Sequence, residues 1–216
     1  MNQDRAVPQL HWLEGNRHVI TPLVAPDSRQ EKQSALFLDR DGVINKDVNF
    51  LGDPSQLILL PGAPEAIRLL QERFVVIVVT NQSGIARGMF TEDNLFAVHT
   101  EMASKLTAEE VRLDAFYYCP HHPTGTVSEY SVECQCRKPS PGMLAAAAQD
   151  YNIDLGSSFL VGDTPRDVQA AVAVGVIGIK VGELDGLPNG TPTVDSLLAA
   201  ASQIQETVQD SASIKS

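Results

Sequence analysis

The sequence predicts an α/β protein with three layers, in which helices cover both faces of a mainly parallel sheet. Short apolar segments alternate with helical patterns from residue 35 onwards. These segments lack the alternation of polar and apolar residues found in half-exposed strands, which is typical of strands buried on both faces. Several of them end in polar residues, and in open α/β sheets the carboxyl ends of the strands form the ligand-binding edge. We therefore expect a Rossmann-like architecture with a site at that edge.

The elements are predicted in alternating order along the chain. The segment 74–79 is apolar and β-branched, and the helix that follows begins with Thr91 as its cap and with two acids in its first turn. We predict strands at 35–38, 74–79, 116–118, 158–161 and 176–181, and helices at 61–70, 91–106, 141–149, 167–174 and 194–208.

The length of 216 residues suits one domain, which we place at 34–208. Residues 1–33 are expected to form an N-terminal extension that packs loosely, because prolines interrupt any long helix there. Residues 209–216 are expected to form a polar tail that frays. Only 38 residues separate Asp41 from Thr80, so there is no room for a large cap domain between them. The surplus between Thr80 and Lys138 is a loop at 119–136.

The bulk composition excludes several classes of partner. The formal net charge is −11, which disfavours nucleic acid. No apolar run approaches the roughly 20 residues of a membrane span, and no apolar region follows Met1 to Arg5 as in a secretory signal. Three cysteines, an odd number, fit no closed disulfide framework. We expect a cytoplasmic monomer that binds neither membranes nor nucleic acid.

Chemistry-bearing side chains follow three of the predicted strands. Asp39 and Asp41 follow the first strand, Thr80 ends the second, and Asp163 follows the fourth. Because parallel strands bring their carboxyl ends to one edge, these groups can converge. Acids that hold Mg2+, a carboxylate nucleophile, and a hydroxyl and a lysine that neutralise phosphoryl oxygens are the parts that phosphoryl transfer requires. Lys138, just before a helix, supplies the ammonium.

In these motifs the sequence resembles the haloacid dehalogenase (HAD) superfamily of phosphatases. The four motifs are matched by Asp39 to Gly42, by Thr80, by Lys138, and by the pair Asp163 and Asp167. The resemblance implies that Asp39 is the nucleophile and that Asp41 is the general acid and base. It implies that Thr80 and Lys138 hold the phosphoryl group. It further implies Mg2+ on the side chains of Asp39 and Asp163 and on the backbone carbonyl of Asp41, with Asp167 orienting Lys138 or the metal shell.

The loop at 119–136 carries a predicted zinc site. Cys119-x-His121 and Cys134-x-Cys136 together offer three thiolates and one imidazole, a closed four-coordinate set that suits structural Zn2+. His122 is the alternative to His121, which we prefer because the related pattern is C-x-H. The last ligand is followed at once by Arg137 and Lys138, so zinc would fix two cations at the mouth of the site.

A narrower resemblance, over about residues 35 to 182, is to the phosphatases of heptose bisphosphate within that superfamily. It rests on the runs at 80–88, 117–123 and 134–139. The resemblance implies removal of the C7 phosphate and a grip of Arg137 on the C1 phosphate, for which a bidentate guanidinium is suited. It also implies sugar contacts from Asp47, Asn49, Asn81, Gln82 and Ser83.

One position departs from that resemblance, and other functions stay open. Thr164 follows Asp163 where those phosphatases often have lysine, with Arg166 two residues further on, so the anomer at C1 is undecided. A histidinol-phosphate phosphatase or another small-molecule phosphatase would share the motifs, although Arg137 disfavours a cationic substrate. A zinc-stiffened binding module would lack catalytic groups, and none is missing here. The acidic balance argues against a phosphatase of DNA ends.

Overall fold

The computed structural model describes residues 9–13, 17–21, 32–183 and 186–213. Within them, the strands are β1 (Gln9–Leu13), β2 (Arg17–Thr21), β3 (Ala35–Leu38), β4 (Val75–Asn81), β5 (Ala115–Cys119), β6 (Phe159–Gly162), β7 (Ile177–Val181) and β8 (Thr193–Val194). The helices are α1 (Ala63–Leu70), α2 (Glu92–Ala108), α3 (Gly142–Asp150), α4 (Pro165–Val172) and α5 (Leu197–Ser213). Short 3-10 turns lie at Pro54–Gln56 and Leu155–Ser157.

All strands of the described chain join one sheet in the order β1-β2-β5-β4-β3-β6-β7-β8. The strands from β5 to β8 are parallel, whereas β2 pairs antiparallel with β5 and β1 pairs antiparallel with β2. The predicted mainly parallel sheet is therefore confirmed. Its three central strands are β4, β3 and β6, which are the strands that precede the expected catalytic groups.

Helices cover both faces of the sheet. Leu36 and Leu38 of β3 point into one core, which α1, α2 and α5 complete, while Phe37 points into the other, which α3 and α4 complete. The four residues of β3 are all fully buried, as expected for a strand enclosed on both faces. The predicted three-layer architecture is confirmed, and the buried centre of the sheet gives the site a rigid floor.

The N-terminal region differs from the expected loosely packed extension. Its described residues form strands β1 and β2, and Arg17, His18 and Val19 pair with Tyr117, Phe116 and Ala115 of β5. The remaining positions of the region 1–33, except 32 and 33, lie outside the described residues. At the other end, α5 continues to Ser213, past the expected boundary at 208, and β8 precedes it where the sequence predicted helix.

The connections between catalytic strands are short. From Asp41 to Thr80 the chain holds only a loop with a 3-10 turn, α1 and most of β4, and from Thr80 to Lys138 it holds α2, β5 and the loop at 119–136. This part of the described chain contains no cap domain, as expected. Among the helices that the structure describes, none combines the length and apolar character that crossing a bilayer requires.

Candidate active site

The expected groups meet at the carboxyl edge of the central strands. Asp39 follows β3, Thr80 is the penultimate residue of β4, and Asp163 follows β6. Because β4, β3 and β6 are neighbours in the sheet, these side chains open into one cavity of about 350 Å³. Its lining is Asp39, Asp41, Asp47, Asn49, Phe50, Thr80, Asn81, Gln82, Ser83, Arg87, His122, Arg137, Lys138, Asp163, Thr164, Arg166 and Asp167.

A buried lysine links two of the acids. Lys138 Nζ lies 2.9 Å from Asp39 Oδ1 and 2.5 Å from Asp167 Oδ1, and it donates a third bond of 2.7 Å to the carbonyl of Val79. Asp39 Oδ1 also accepts a 2.8 Å bond from the amide of Arg40. In the described residues, Asp39 Oδ2 has no such partner. The ammonium is therefore held in place beside an acid that keeps one oxygen available.

Burial and crowding shift the ionisation of these groups. Burial, together with the charges of Asp167 and Asp163, raises the pKa of Asp39 to about 7 despite the opposing effect of Lys138. Burial and Asp167 raise the pKa of Asp163 to about 6. Burial alone would lower the pKa of Lys138, but Asp39 and Asp167 outweigh it and hold that pKa above its ordinary value.

The acids fit a divalent cation. Oxygens of Asp39, Asp163 and Asp167 lie within 4.8 Å of one another. Oxygen ligands at such spacing suit Mg2+, and a cation would relieve the repulsion that raises the pKa of Asp39 and Asp163. Gly42 leaves the space that this cluster needs, because a Cβ atom there would collide with the Asp163 carboxylate. With φ at +79°, the position also favours glycine by its backbone.

Asp41 is held apart from that cluster. Arg40 Nη2 donates to Asp41 Oδ2 at 2.8 Å and to Oδ1 at 3.0 Å, and Asn45 Nδ2 and Gln82 Nε2 add bonds of 2.9 and 3.0 Å. Burial alone would raise the pKa of Asp41, but Arg40 and these hydrogen bonds hold it below its ordinary value. Neither Arg40 nor Asn45 was predicted as a site residue, since neither carries a recognisable signal in the sequence.

The side chains of Asn81 and Gln82, which were expected to contact the sugar, form hydrogen bonds within the protein. Asn81 Nδ2 donates to the carbonyl of Lys138 at 3.1 Å, and Asn81 Oδ1 accepts from the Lys138 amide at 3.0 Å. Gln82 Nε2 bridges Asp41 and Thr80 Oγ1, the latter at 2.8 Å. These two amides therefore hold Lys138, Asp41 and Thr80, the expected catalytic residues, in place. Asp47, Asn49 and Ser83 line the cavity as expected.

The loop at 119–136 gathers the four predicted zinc ligands. Cys119 Sγ lies 3.5 Å from Cys134 Sγ, Cys134 Sγ lies 3.3 Å from Cys136 Sγ, and His121 Nδ1 lies 3.3 Å from Cys136 Sγ. A tetrahedral zinc with bonds of about 2.3 Å separates its sulfur ligands by roughly 3.7 Å, so the set fits zinc. Hydrogen bonds, first from Cys119, hold the pKa of Cys136 at about 5, which favours a thiolate ligand. His122 lies outside the set.

A second anchor holds the same loop to the body. Glu92, in the first turn of α2, accepts hydrogen bonds from Tyr118 of β5 at 2.8 Å and from Tyr130 of the loop at 3.1 Å. The carbonyl of Ala86 accepts bonds from the amides of Thr126 and Val127. The loop is thus held to the body at these points as well as at the four predicted zinc ligands.

Basic side chains form the outer wall of the cavity. Arg137 was expected there, whereas Arg87 and Arg166 were not assigned a role from the sequence, and His122 was considered only as an alternative zinc ligand. Burial, and then the charges of Arg166 and Arg87, lower the pKa of Arg137, against a raising effect of the nearby thiols. The cavity therefore has an acidic floor and a basic rim, which suits an anionic substrate whose reacting end meets a metal.

The fold and this arrangement of side chains define a phosphatase of the HAD-like hydrolase class. A family model described as HAD-hydrolase-like matches residues 135–186, which include Lys138, Asp163 and Asp167. A solved structure titled as D,D-heptose 1,7-bisphosphate phosphatase from B. bronchiseptica, complexed with magnesium and phosphate, superposes with a TM-score of 0.72 and 39% identity, over 81% of this chain and 99% of that one.

Similar proteins of known name identify the family within this class of hydrolases. A D-glycero-beta-D-manno-heptose-1,7-bisphosphate 7-phosphatase of Yersinia pestis is 42% identical over 179 residues, covering 81% of this chain and 95% of that protein. The protein of the same name from Escherichia coli (strain K12) is 46% identical over 155 residues, covering 71% of this chain and 81% of that protein. The chain belongs to the family of D-glycero-beta-D-manno-heptose-1,7-bisphosphate 7-phosphatases.

Proposed function

We propose that the chain hydrolyses the C7 phosphate of D-glycero-β-D-manno-heptose 1,7-bisphosphate through an aspartyl-phosphate intermediate. The observation that carries this proposal is the buried pair of Asp39 and Lys138, 2.9 Å apart, on the floor of a cavity whose rim is basic. The names of the relatives supply the substrate and its β anomer.

In the first half-reaction, Asp39 attacks phosphorus and the bond to the C7 oxygen breaks. Asp41 donates a proton to the leaving oxygen, a step that typically contributes about 10²–10⁴-fold. Thr80 and Lys138 bind the equatorial oxygens as negative charge spreads over them. Lys138 is suited to this role because two carboxylates keep it charged inside the protein.

In the second half-reaction, water attacks the phosphorus of the aspartyl phosphate and Asp39 is regenerated. Asp41, now ionised, accepts a proton from that water, so the two halves use it first as an acid and then as a base. The hydrogen bonds from Arg40, Asn45 and Gln82 favour its ionised form, which is the form that the second half-reaction needs.

Mg2+ fits the acidic floor of the cavity. The side chains of Asp39 and Asp163 and the backbone carbonyl of Asp41 would hold it, and Asp167 would orient Lys138. The cation would supply neutralisation of the phosphate charge beside the nucleophile. The magnesium and phosphate in the B. bronchiseptica structure support this assignment.

Zn2+ is proposed as a structural ion on Cys119, His121, Cys134 and Cys136. Its ligand set is closed, so it would take no part in the chemistry. It would fix the backbone that carries Arg137, which contacts the C1 phosphate in this proposal. Asp47, Asn49 and Ser83, on the rim, would contact sugar hydroxyls. We further propose that the enzyme acts as a cytoplasmic monomer on this small molecule, without nucleic acid.

A turnover panel tests the proposed substrate. The purified enzyme with Mg2+ is offered the β and α anomers of the heptose bisphosphate, histidinol phosphate and p-nitrophenyl phosphate. We expect the highest kcat/KM for the β anomer. Equal values for all four would leave only a small-molecule phosphatase, and a preference for histidinol phosphate would replace the proposed substrate.

A further inference from the structure

The ring of Phe90 lies between two glycines from separate segments of the chain. A Cβ atom on Gly52 would lie 2.6 Å from Cβ and 2.8 Å from Cγ of Phe90, and a Cβ atom on Gly84 would collide with Cε1 of the same ring. The backbone of neither glycine lies in the left-handed region that favours glycine by itself. The close approach of the ring therefore accounts for glycine at both positions.

Both glycines belong to segments that line the catalytic cavity. Gly52 comes directly after a stretch, 47–50, of which three residues line the cavity, and Gly84 directly follows Ser83, which also lines it. Phe90 itself is buried and is not part of the lining. The contacts of one ring with both glycines therefore fix the distance between two parts of the cavity wall.

The stretch 47–52 needs such support because its backbone is strained. Asn49 and Phe50 have φ values of +57° and +66°, and a bulky side chain persists in this region only where its surroundings hold it there. In the described part of the chain, the hydrogen bond within this stretch is local, from the amide of Asn49 to the side chain two residues before it. The stretch is therefore held to the body by packing, which includes the contact of Gly52 with Phe90.

Phe90 is also connected to the loop at 119–136. It belongs to a small buried cluster with Ile85, Leu95 and Tyr118, against which Tyr130 of that loop packs. This cluster is separate from the two cores that flank the sheet. One buried aromatic side chain thus contacts two cavity-lining segments directly and reaches the loop at 119–136 through its neighbours.

We propose that Phe90 is a positioning residue for substrate binding, which sets the spacing of the stretch 47–52 and the segment 81–84 and thereby their fit to the sugar. The inference rests on the proposed function, because it takes these segments as the ones that contact the sugar hydroxyls. The groups that react with phosphorus, Asp39 and Lys138, lie on the floor of the cavity and are held by their own ion pair. A looser spacing of the two segments therefore weakens binding of the sugar more than it slows the chemical step.

Phe90→Leu, which removes the outer atoms of the ring, tests this proposal. We expect KM for the heptose 1,7-bisphosphate to rise by roughly 10-fold, whereas kcat/KM for p-nitrophenyl phosphate, which carries no sugar, stays near the wild-type value. Phe74→Leu is the matched control, because it makes the same change at a buried phenylalanine that packs on Phe159 in the main core and does not line the cavity. It should lower Tm while leaving the wild-type KM.

Gly84→Ala makes the complementary change, because its methyl group meets the ring of Phe90. We expect this variant to raise KM by at least about 10-fold. Adding Phe90→Leu to the same chain should lower KM again, since leucine lacks the ring atoms that the methyl group meets. If the two changes simply multiplied their effects on KM, Gly84 and Phe90 would act independently and the proposal would be overturned.

The outcomes separate this inference from the function on which it rests. If the wild-type enzyme does not prefer the heptose bisphosphate to p-nitrophenyl phosphate, the proposed function fails, and the sugar contacts on which this inference depends fail with it. If the wild-type enzyme shows that preference and Phe90→Leu keeps the wild-type KM, the inference alone is overturned. An equal loss on both substrates also overturns it, because Phe90 would then act on the reacting end or on folding.

Discussion

The guanidinium of Arg40 holds both carboxylate oxygens of Asp41 from the interior of the protein. Arg40 is fully buried, and its Nη1 lies 3.4 Å from Nε2 of His99, which stacks on Phe116 with 4.2 Å between ring centroids. Asp41, the proposed general acid and base, is thus oriented by a chain of side chains that reaches from the cavity into the core between α2 and β5. The orientation of the Asp41 carboxylate therefore depends on packing in the core behind the site.

Arg40→Lys tests this support. Lysine keeps a positive charge but loses the paired geometry, so Asp41 is held less firmly. We expect kcat to fall by roughly 10- to 100-fold for a sugar phosphate, within the usual contribution of acid catalysis. The loss should be smaller for p-nitrophenyl phosphate, whose leaving group needs little protonation. Steady-state kinetics on both substrates measure the contrast, and an equal loss on both would argue for general damage.

Asp39→Asn tests the nucleophile. An amide cannot form the aspartyl phosphate, so we expect turnover to fall by at least about 10⁴-fold while the fold is retained. Kinetics with saturating Mg2+ give the rate, and circular dichroism checks the fold. Asp93→Asn, a change of an exposed carboxylate on α2 that does not line the cavity, serves as the control and should keep the wild-type activity. Activity of Asp39→Asn near that of the wild type would remove Asp39 from this role.

The raised pKa of Asp39, about 7, predicts how stability depends on pH when Mg2+ is absent. The folded protein holds this proton more tightly than the unfolded chain, so stability is fully present below pH 4 and is lost as the pH rises towards 7. The loss from Asp39 is on the order of 2–4 kcal/mol. Asp163, with a pKa of about 6, acts in the same direction.

Thermal unfolding in magnesium-free buffer checks this dependence. The difference in Tm between Asp39→Asn and the wild type should favour the variant more at pH 8 than at pH 5. At pH 8 the wild type buries a charged Asp39, whereas the amide of the variant carries no charge. Added Mg2+ should stabilise the wild type more at pH 8 than at pH 5. A difference in Tm that does not change with pH would contradict the assignment of the shift to Asp39.

Cys134→Ser tests the zinc site. The change removes one of four ligands, so we expect bound zinc to fall from about one equivalent towards zero and Tm to fall by several degrees. Elemental analysis and calorimetry measure the two effects. Ser128→Ala, an exposed change in the same loop, is the control. If the zinc-depleted variant kept the wild-type Tm and its preference for the heptose bisphosphate, the stiffening role would be wrong.

Tyr130→Phe tests the second anchor of the loop. The change removes one hydrogen bond to Glu92, which still accepts from Tyr118, so we expect a loss of about 1 kcal/mol in the free energy of unfolding. Because the loop leads to Arg137, KM for the bisphosphate should rise while the zinc content stays unchanged. Denaturant unfolding and steady-state kinetics give both values. Unchanged stability and KM would mean that the four-ligand cluster alone holds the loop.

The core of the fold was predictable because buried strands appear in the sequence as unbroken apolar runs. The unbroken apolar run of β4, for example, follows from its position between two layers of helices. The pairing of β2 with β5 was not predictable, since it joins residues far apart in the chain, such as Val19 with Ala115, and no local pattern encodes it. The two-residue strand β8 is too short to leave a pattern.

The candidate site likewise contains residues that were predictable from the sequence and residues that were not. Asp39, Thr80 and Asp163 were predictable as neighbours because each belongs to the carboxyl end of a central strand. Arg40 was not, because its role depends on His99, 59 residues further along the chain. Asn81 and Gln82 were expected to contact the sugar because the family resemblance implies it. Only the three-dimensional structure gives their partners, the backbone of Lys138 and the side chains of Thr80 and Asp41.

The hairpin of β1 and β2 changes the mechanical setting of the predicted zinc site. Cys119 is the last residue of β5, and without β1 and β2 that strand would be the outermost of the parallel sheet, free to pair with another chain. With the hairpin in place, Cys119, the first predicted zinc ligand, ends a strand that pairs with β2 on one side and with β4 on the other. Fraying at the edge of the sheet would therefore affect β1 before it affects the start of the loop that leads to Arg137.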